Sequence, residues 1–366
     1  MTELRVCIDY DDPLVPDLIQ SSLQKFIPNV LNVSPTEASL QWSSYEAIHF
    51  ETILSNPQTL CNSYIFRKAL IRKHFLANTV LSWLSKHPRS ILRRTVPRTY
   101  LLECDYADYL DEALNESFEL REALELNGSK NADQRLYFIL KPSMADRGQG
   151  IRLFSTLQEL QEIFEEFEED EDEEGAGEAN DTNVVAGQLR HFVVQEYISK
   201  PLLLESLCPN RKFHLRVYIV AFGALKAWVW SEILALFAPT EYESPATTLN
   251  DMDRHLSNTC LQDGPIKDQN VLRFWSLPLP HEVLNNIFTQ VCETSGEIFE
   301  AAAAGQQMHF QVASIRYRLM RLIPMRLRFS VSILLWIALS KCICWKSTQY
   351  ALKDSADIVP RLQADR

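Results

Sequence analysis

The chain has 366 residues, 46% of them hydrophobic, and a formal net charge of −12. That length allows two or three packed units, and that hydrophobic content suffices for a real core. The negative balance argues against a general nucleic-acid binder, whose affinity comes from cations set against phosphates. The eight cysteines, scattered without a Cys-x-x-Cys pair and with no secretory signal before them, read as reduced thiols of a cytoplasmic protein.

Leu4-Arg5-Val6-Cys7-Ile8 predicts a first strand, and Asp11-Asp12-Pro13 its end. Helical spacing follows at Leu18, Ile19, Leu23 and Phe26, so residues 1–100 are expected to hold a small α/β N-terminal unit. Tyr64 to His74 predicts a helix whose Arg67, Lys68, Arg72 and Lys73 gather on one side, because residues three to five apart are near neighbours on a helix. In a chain this acidic, such a cluster is either a solvated face or a dock for an acidic partner. Pro97 to Leu101 reads as a linker entering a strand, and Leu110 to Leu126 as an amphipathic helix that Gly128 terminates.

Tyr137 to Ser143 predicts a strand, followed by a loop with Arg147, Gly148 and Gly150 and a second strand from Ile151 to Phe154. Glycines let a backbone turn tightly and bring amide groups close to phosphate oxygens. Lys141 ends the first strand and can add a point charge, but no Gly-Lys-Ser/Thr follows, so the loop is not a P-loop. Thr156 and Glu159 form a capping-box pattern that opens a helix through Phe167. Glu168 to Glu174 is a block of like charges that repels itself, so residues 168–187 are expected to be a disordered loop. Calcium would need ligands alternating around a turn glycine, a pattern the block lacks.

His191 to Leu202 predicts a buried strand that ends in a polar pair and leaves through Pro201. Arg211 to Val220 then alternates cleanly. Lys212, His214 and Arg216 share one face of the strand, and Phe213, Leu215, Val217 and Ile219 the other. The second face is core. The first is either a solvated row with cross-strand ion pairs or a row that meets a polyanion, since unpaired buried charge is costly. A hairpin through Gly223 leads into Leu225 to Trp230, and Pro280 to Gly305 is a helix with Val283, Ile287, Val291 and Ile298 on one stripe. Glu293, Glu297 and Glu300 read as the solvated face of that helix.

In this order, Lys141-Pro142 with Gly148-x-Gly150-Ile151, Val194-Gln195-x-Tyr197-Ile198, Arg211-Lys212-Phe213-x-x-Arg216 and His255-Leu256-Ser257-Asn258 resemble the motifs of the tubulin–tyrosine ligase family of ATP-grasp enzymes, over roughly residues 64–311. The resemblance implies an α/β (α+β) class and an ATP-grasp fold over residues 101–311, with ATP and Mg²⁺ as cofactors. It implies a ligase that activates a carboxylate as an acyl phosphate for attack by the amine of a free amino acid, tyrosine ahead of glutamate or glycine. Lys141, Lys212 and Arg216 would hold phosphates, with Arg216 catalytic; Arg147, Gly148 and Gly150 would form the phosphate loop. Gln195, Glu196, Tyr197 and Ile198 would line the adenine, and Asn258 would touch nucleotide or acceptor. The implied acceptor is α-tubulin or another protein with an acidic tail, which would dock on Arg67, Lys68, Arg72 and Lys73. The protein would be a monomer that meets neither nucleic acid nor membrane. Many members also carry an Arg facing the phosphates where Ser231 or Leu236 stands in this chain.

From Val312 the character changes. Phe329 to Ser340 is apolar but too short for the roughly 20 residues of a bilayer span, and Lys341 interrupts it. The family's Asn-Ala-Phe-Glu-x-Phe-Gly-x-Asp and Leu-Leu-Glu-x-Asn-Ala motifs, which would hold Mg²⁺, do not follow Gln311. A shifted reading frame through the codons of Pro324–Ile337 and Lys341–Gln349 can encode both. Residues 312–366 are therefore expected to be a non-native tail, with the C-terminal catalytic strands missing and the metal ligands unknown. The alternative is a non-enzymatic binding protein for an acidic partner with a vestigial nucleotide fold.

Overall fold

The computed structural model describes residues 3–10, 12–56, 58–145, 148–174, 191–204, 210–222, 225–258, 262, 270–305, 309–310 and 332–333; of 169–174, 222, 332 and 333 it describes the backbone alone. The first unit comprises β1 (Glu3–Asp9), α1 (Leu14–Gln24), β2 (Asn29–Asn32), β3 (Leu40–Ser43), α2 (Phe50–Ser55) and β4 (Leu60–Cys61). Its strands are all parallel, in the order β2-β1-β3-β4. Parallel neighbours need a crossover, and α1 supplies the one between β1 and β2. Val6, Leu23 and Leu40 form the buried centre, with Ile19, Val30, Trp42 and Leu60 packed on it. The expected stripe on α1 divides: Ile19 and Leu23, one turn apart, face the sheet, whereas Leu18 and Phe26 are 66% and 71% exposed. Leu18 is turned by about 100° from Ile19 around the helix, and Phe26 lies beyond its last residue.

The predicted helix over Tyr64–His74 is two helices, α3 (Lys68–Ile71) and α4 (Lys73–Lys86), because Arg72 between them is extended at φ −93°, ψ 126°. After α5 (Leu92–Thr95) come β5 (Thr99–Glu103), α6 (Leu110–Glu116), α7 (Phe118–Gly128), β6 (Phe138–Pro142), β7 (Arg152–Phe154), α8 (Leu157–Glu174) and β8 (His191–Glu196). The four strands make an antiparallel sheet, β5-β8-β6-β7. Leu102, Phe138, Leu140, Phe154 and Phe192 bury one of its faces against Leu114, Leu120 and Phe164 of the helices. The capping box at the start of α8 is formed: Glu159 N–H donates to Thr156 Oγ1 at 3.2 Å, and Thr156 N–H to Glu159 Oε2 at 3.0 Å. The helix does not end at Phe167. It runs through the acidic block to Glu174, which corrects the expected loop at its beginning. Glutamate is a good helix former, and Glu168 is anchored by the Ala107 N–H. The stretch 175–187 lies outside the described residues.

β9 (Phe213–Arg216), β10 (Ile219–Phe222), β11 (Lys226–Val229), β12 (Leu234–Phe237), α9 (Pro245–Thr248), α10 (Met252–His255), β13 (Val271–Arg273), α11 (His281–Gly305) and β14 (Ser332–Ile333) complete the described elements. They form two further antiparallel sheets, β13-β12-β9 and β11-β10-β14. The alternation predicted for Arg211–Val220 holds throughout. Phe213, Leu215, Val217 and Ile219 are buried in the largest core, and Lys212, His214, Arg216 and Tyr218 are not. Ile287, Val291 and Ile298 of α11 enter the same core. Glu297 is not on a solvated face: it accepts hydrogen bonds from Trp83 Nε1 at 2.8 Å and from Ile91 N–H at 3.2 Å. Of residues 312–366, only β14 is described, as a short strand antiparallel to β10. The expectations of a non-native tail and of missing strands otherwise lie outside the described residues.

Candidate active site

β6 carries Lys141, and Lys212, the residue before β9, lies close enough to feel its charge. Each side chain keeps part of its surface open to solvent, yet protein crowds both ammonium groups. Burial pushes Lys212 down to about 7, and the charge of Lys141 adds to the effect. Burial likewise pushes Lys141 down to about 8, with Lys73 adding to it. Among the described residues no carboxylate offsets either shift. Desolvated cations set side by side favour their charged forms only when an anion joins them. Lys141 Nζ donates to Gln195 Oε1 at 2.6 Å, and Gln195 Nε2 donates in turn to Thr99 Oγ1 at 3.1 Å.

Lys212 Nζ lies 3.8 Å from the centroid of the Tyr197 ring and 5.9 Å from that of Tyr242, so π faces stand where a counter-ion is missing. Tyr197 is fixed in turn. His255 Nε2 donates to the Thr248 carbonyl at 2.9 Å, which leaves Nδ1 to accept the Tyr197 hydroxyl at 2.9 Å. Further along the strand, His214 Nδ1 is 2.6 Å from Ser257 Oγ. Its cross-strand partner is Leu236, and that of Arg216 is Leu234, so apolar groups wall this side of the row. Burial, with the charges of Arg216 and Lys212, pushes His214 down to about 4. At neutral pH the imidazole in the row is therefore uncharged.

The glycine loop follows β6, one residue of which is Lys141. Gly148 and Gly150 have φ of +91° and +66°, and a Cβ on Gly150 would stand 2.8 Å from Pro142 Cγ. A left-handed backbone pressed against a ring needs glycine. The base of the loop is tied down from both sides. Ser143 N–H donates to the His191 carbonyl at 2.8 Å, His74 N–H donates to Ser143 Oγ at 3.2 Å, and Lys73 Nζ donates to the carbonyls of Pro142 and Ala145.

The fold thus brings Lys141, Gln195, Tyr197, Lys212 and Arg216 into one neighbourhood, with Gly148 and Gly150 in the loop beside it. Asn258 is buried next to Ser257. The Glu196 and Tyr197 N–H groups already donate to the carbonyls of Arg98 and Tyr137, at 2.9 and 2.7 Å. Those two residues can therefore meet an adenine only through other atoms, while the buried Ile198 follows directly. Arg147 lies outside the described residues.

The expected basic dock is not one surface. The Arg67 guanidinium is half-buried 3.9 Å over the Tyr45 ring, Arg72 is half-buried between two helices, Lys73 turns inward to the loop, and Lys68 alone of the four is exposed. The break at Arg72 separates the cations that a continuous helix would have aligned. The sequence reading missed Thr99, Tyr242, His255 and Ser257, and gave Lys73 a different part. The signal for Ser257 and His255 was their place in the motif that contributed Asn258. Among the described residues no three His, Cys, Asp or Glu side chains cluster as a metal site. Lys141, Gln195, Tyr197, Lys212 and Arg216 include no carboxylate, so these five side chains do not fit Mg²⁺.

The sequence profile of the Tubulin-tyrosine ligase family matches residues 51–318. The Schizosaccharomyces pombe protein named "Probable tubulin--tyrosine ligase" is 43% identical over 320 residues, covering 84% of this chain and 78% of its own. The Saccharomyces cerevisiae "Probable tubulin--tyrosine ligase PBY1" is 41% identical over 291 residues, 74% of this chain but 38% of that longer protein. More distant relatives bear the names of tubulin polyglutamylases and a tubulin glycylase. Among solved structures, the C-terminal domain of K. lactis Pby1, described as an ATP-grasp enzyme interacting with the mRNA decapping enzyme Dcp2, matches with a TM-score of 0.58 at 33% identity, covering 84% of this chain and 78% of that one. The chain belongs to the tubulin–tyrosine ligase family, and its fold is the ATP-grasp fold.

Proposed function

We propose that the chain binds ATP between the β5-β8-β6-β7 sheet and β9 and ligates an amino acid, tyrosine first, to the acidic tail of a protein such as α-tubulin. The observation that carries the reading is the pair Lys141 and Lys212, two enclosed cations without an offsetting carboxylate among the described residues. A polyphosphate supplies the missing anion. Lys141, held by Gln195, and Lys212, held over Tyr197, would grip it, and the glycine loop would cover it. An acceptor carboxylate oxygen then attacks the γ-phosphorus and ADP leaves. The amine attacks the acyl carbon, loses a proton, and phosphate leaves. Arg216, further along the row, would hold the transferring phosphoryl group, whose charge is what such a site must stabilise. Tyrosine is favoured by the names of the relatives at 41–43% identity. The reading extends to the tail: the magnesium ligands would be encoded in the shifted frame after Gln311.

Calorimetry tests the nucleotide half. A charge-assisted contact contributes about 1.5–3 kcal/mol, so Lys141→Ala and Lys212→Ala should each lose roughly tenfold or more in ATP affinity. Unchanged affinity in both variants overturns the assignment.

A further inference from the structure

The open face of β9 does not end at Arg216. Two residues on, Tyr218 is 37% exposed, and its carbonyl accepts the Trp230 N–H at 2.8 Å. Trp230 is itself 57% exposed. In the β10–β11 ladder Val220 pairs with Trp228, so Tyr218, Trp228 and Trp230 lie on the face that Lys212 and Arg216 occupy, while Leu225, Ala227 and Val229 pack into the core behind. The Arg216 guanidinium lies 5.6 Å from the Tyr218 ring centroid, which joins the cationic row to the aromatic surface.

We propose that this face of the β10–β11 hairpin is the acceptor track, taking an acidic peptide whose reacting carboxylate sits at Arg216 and whose neighbouring aromatic or apolar side chain stacks on Tyr218 and Trp230. The inference rests on the ligase reading and names what that site accepts. Charge complementarity and continuity with the cationic row through Arg216 choose the occupant. Same-face residues on an extended chain repeat about every 7 Å. A peptide running along the hairpin with its terminal carboxylate at Arg216 therefore lays the side chain two residues back on the rings. A free amino acid would need an enclosed pocket; an open face suits a chain that continues past it.

The test is fluorescence polarisation with two labelled peptides, an oligoglutamate and the same peptide carrying phenylalanine two residues before its C-terminus. The wild-type chain should bind the phenylalanine peptide about threefold to tenfold more tightly, the range expected of a stacked aromatic contact. Tyr218→Ala and Trp230→Ala should abolish that preference while oligoglutamate and ATP affinities stay unchanged, and Trp230→Phe should retain it. Equal binding of the two peptides by the wild type, binding of neither, or a preference that survives both alanine variants overturns the proposal. ATP calorimetry on the same samples reads the ligase proposal separately, since a peptide preference without ATP binding leaves the track and removes the ligase.

Discussion

Beside Lys141 the Lys212 ammonium is pushed down to about 7 from the usual 10.5, because burial and that neighbouring charge disfavour its own. Between those two values the unfolded chain binds more protons than the folded one, so stability rises with pH. The cost of burying the charge is full below about 7 and is relieved as pH climbs. Without ligand, the melting temperature should therefore rise between pH 7 and about 8.5, and Lys212→Met should flatten the rise. Nearer 9 the sign reverses, because burial raises the thiols of Cys61, Cys104 and Cys292 and the unfolded chain loses those protons first. ATP acts in the opposite direction, since its phosphates favour both charged lysines. Its affinity should fall across the same window, with net proton uptake on binding, read by calorimetry in buffers of different ionisation enthalpy. A pH-independent affinity would mean that the phosphates do not lie against Lys141 and Lys212.

Among the elements, the β6–β7 connection shows what local sequence conveys and what it does not. Its strands and glycines were legible because period-two burial and left-handed turns leave marks on composition. The alternation from Lys212 to Ile219 was legible for the same reason. The acidic end of α8 was not, since charge repulsion argued for a loop and only the tertiary bond from Ala107 to Glu168 shows where the helix is held. Lys73 was not legible either. A cation on a helix looks solvent-facing until the fold sets the carbonyls of Pro142 and Ala145 before it. The loop supports a direct stability test. Gly150→Ala meets both a positive φ and a 2.8 Å contact, and should cost roughly 1–3 kcal/mol in urea unfolding. Gly128→Ala, where a Cβ meets nothing within 4 Å, should be neutral or stabilise by up to about 1 kcal/mol. Equal effects at the two sites would show that the loop does not hold its left-handed turn.

On the scale of the whole molecule, the first unit has a small centre around Val6, Leu23 and Leu40, while the largest core joins α3, α4, α5 and α11 to β9, β10 and β12. That core holds the cationic row in place, and the described residues around it provide cations and π faces but no metal-binding carboxylate cluster. Magnesium needs an octahedron of oxygens built from one or two carboxylates and the phosphates themselves. If the shifted frame after Gln311 encodes those carboxylates, nucleotide binding and metal dependence belong to different stretches of the message. The chain as it stands should then bind ATP through Lys141 and Lys212 with affinities in Mg²⁺ and in EDTA within about threefold of each other. A chain carrying the shifted-frame residues after Gln311 should bind at least about tenfold more tightly with the metal than without it, because the added carboxylates and phosphates then share the ion. Sequencing the transcript across codons 311–350 shows which chain the message encodes. A strong metal dependence in the chain as it stands would place the ligands within the sequence as written and refute the shifted frame as their source.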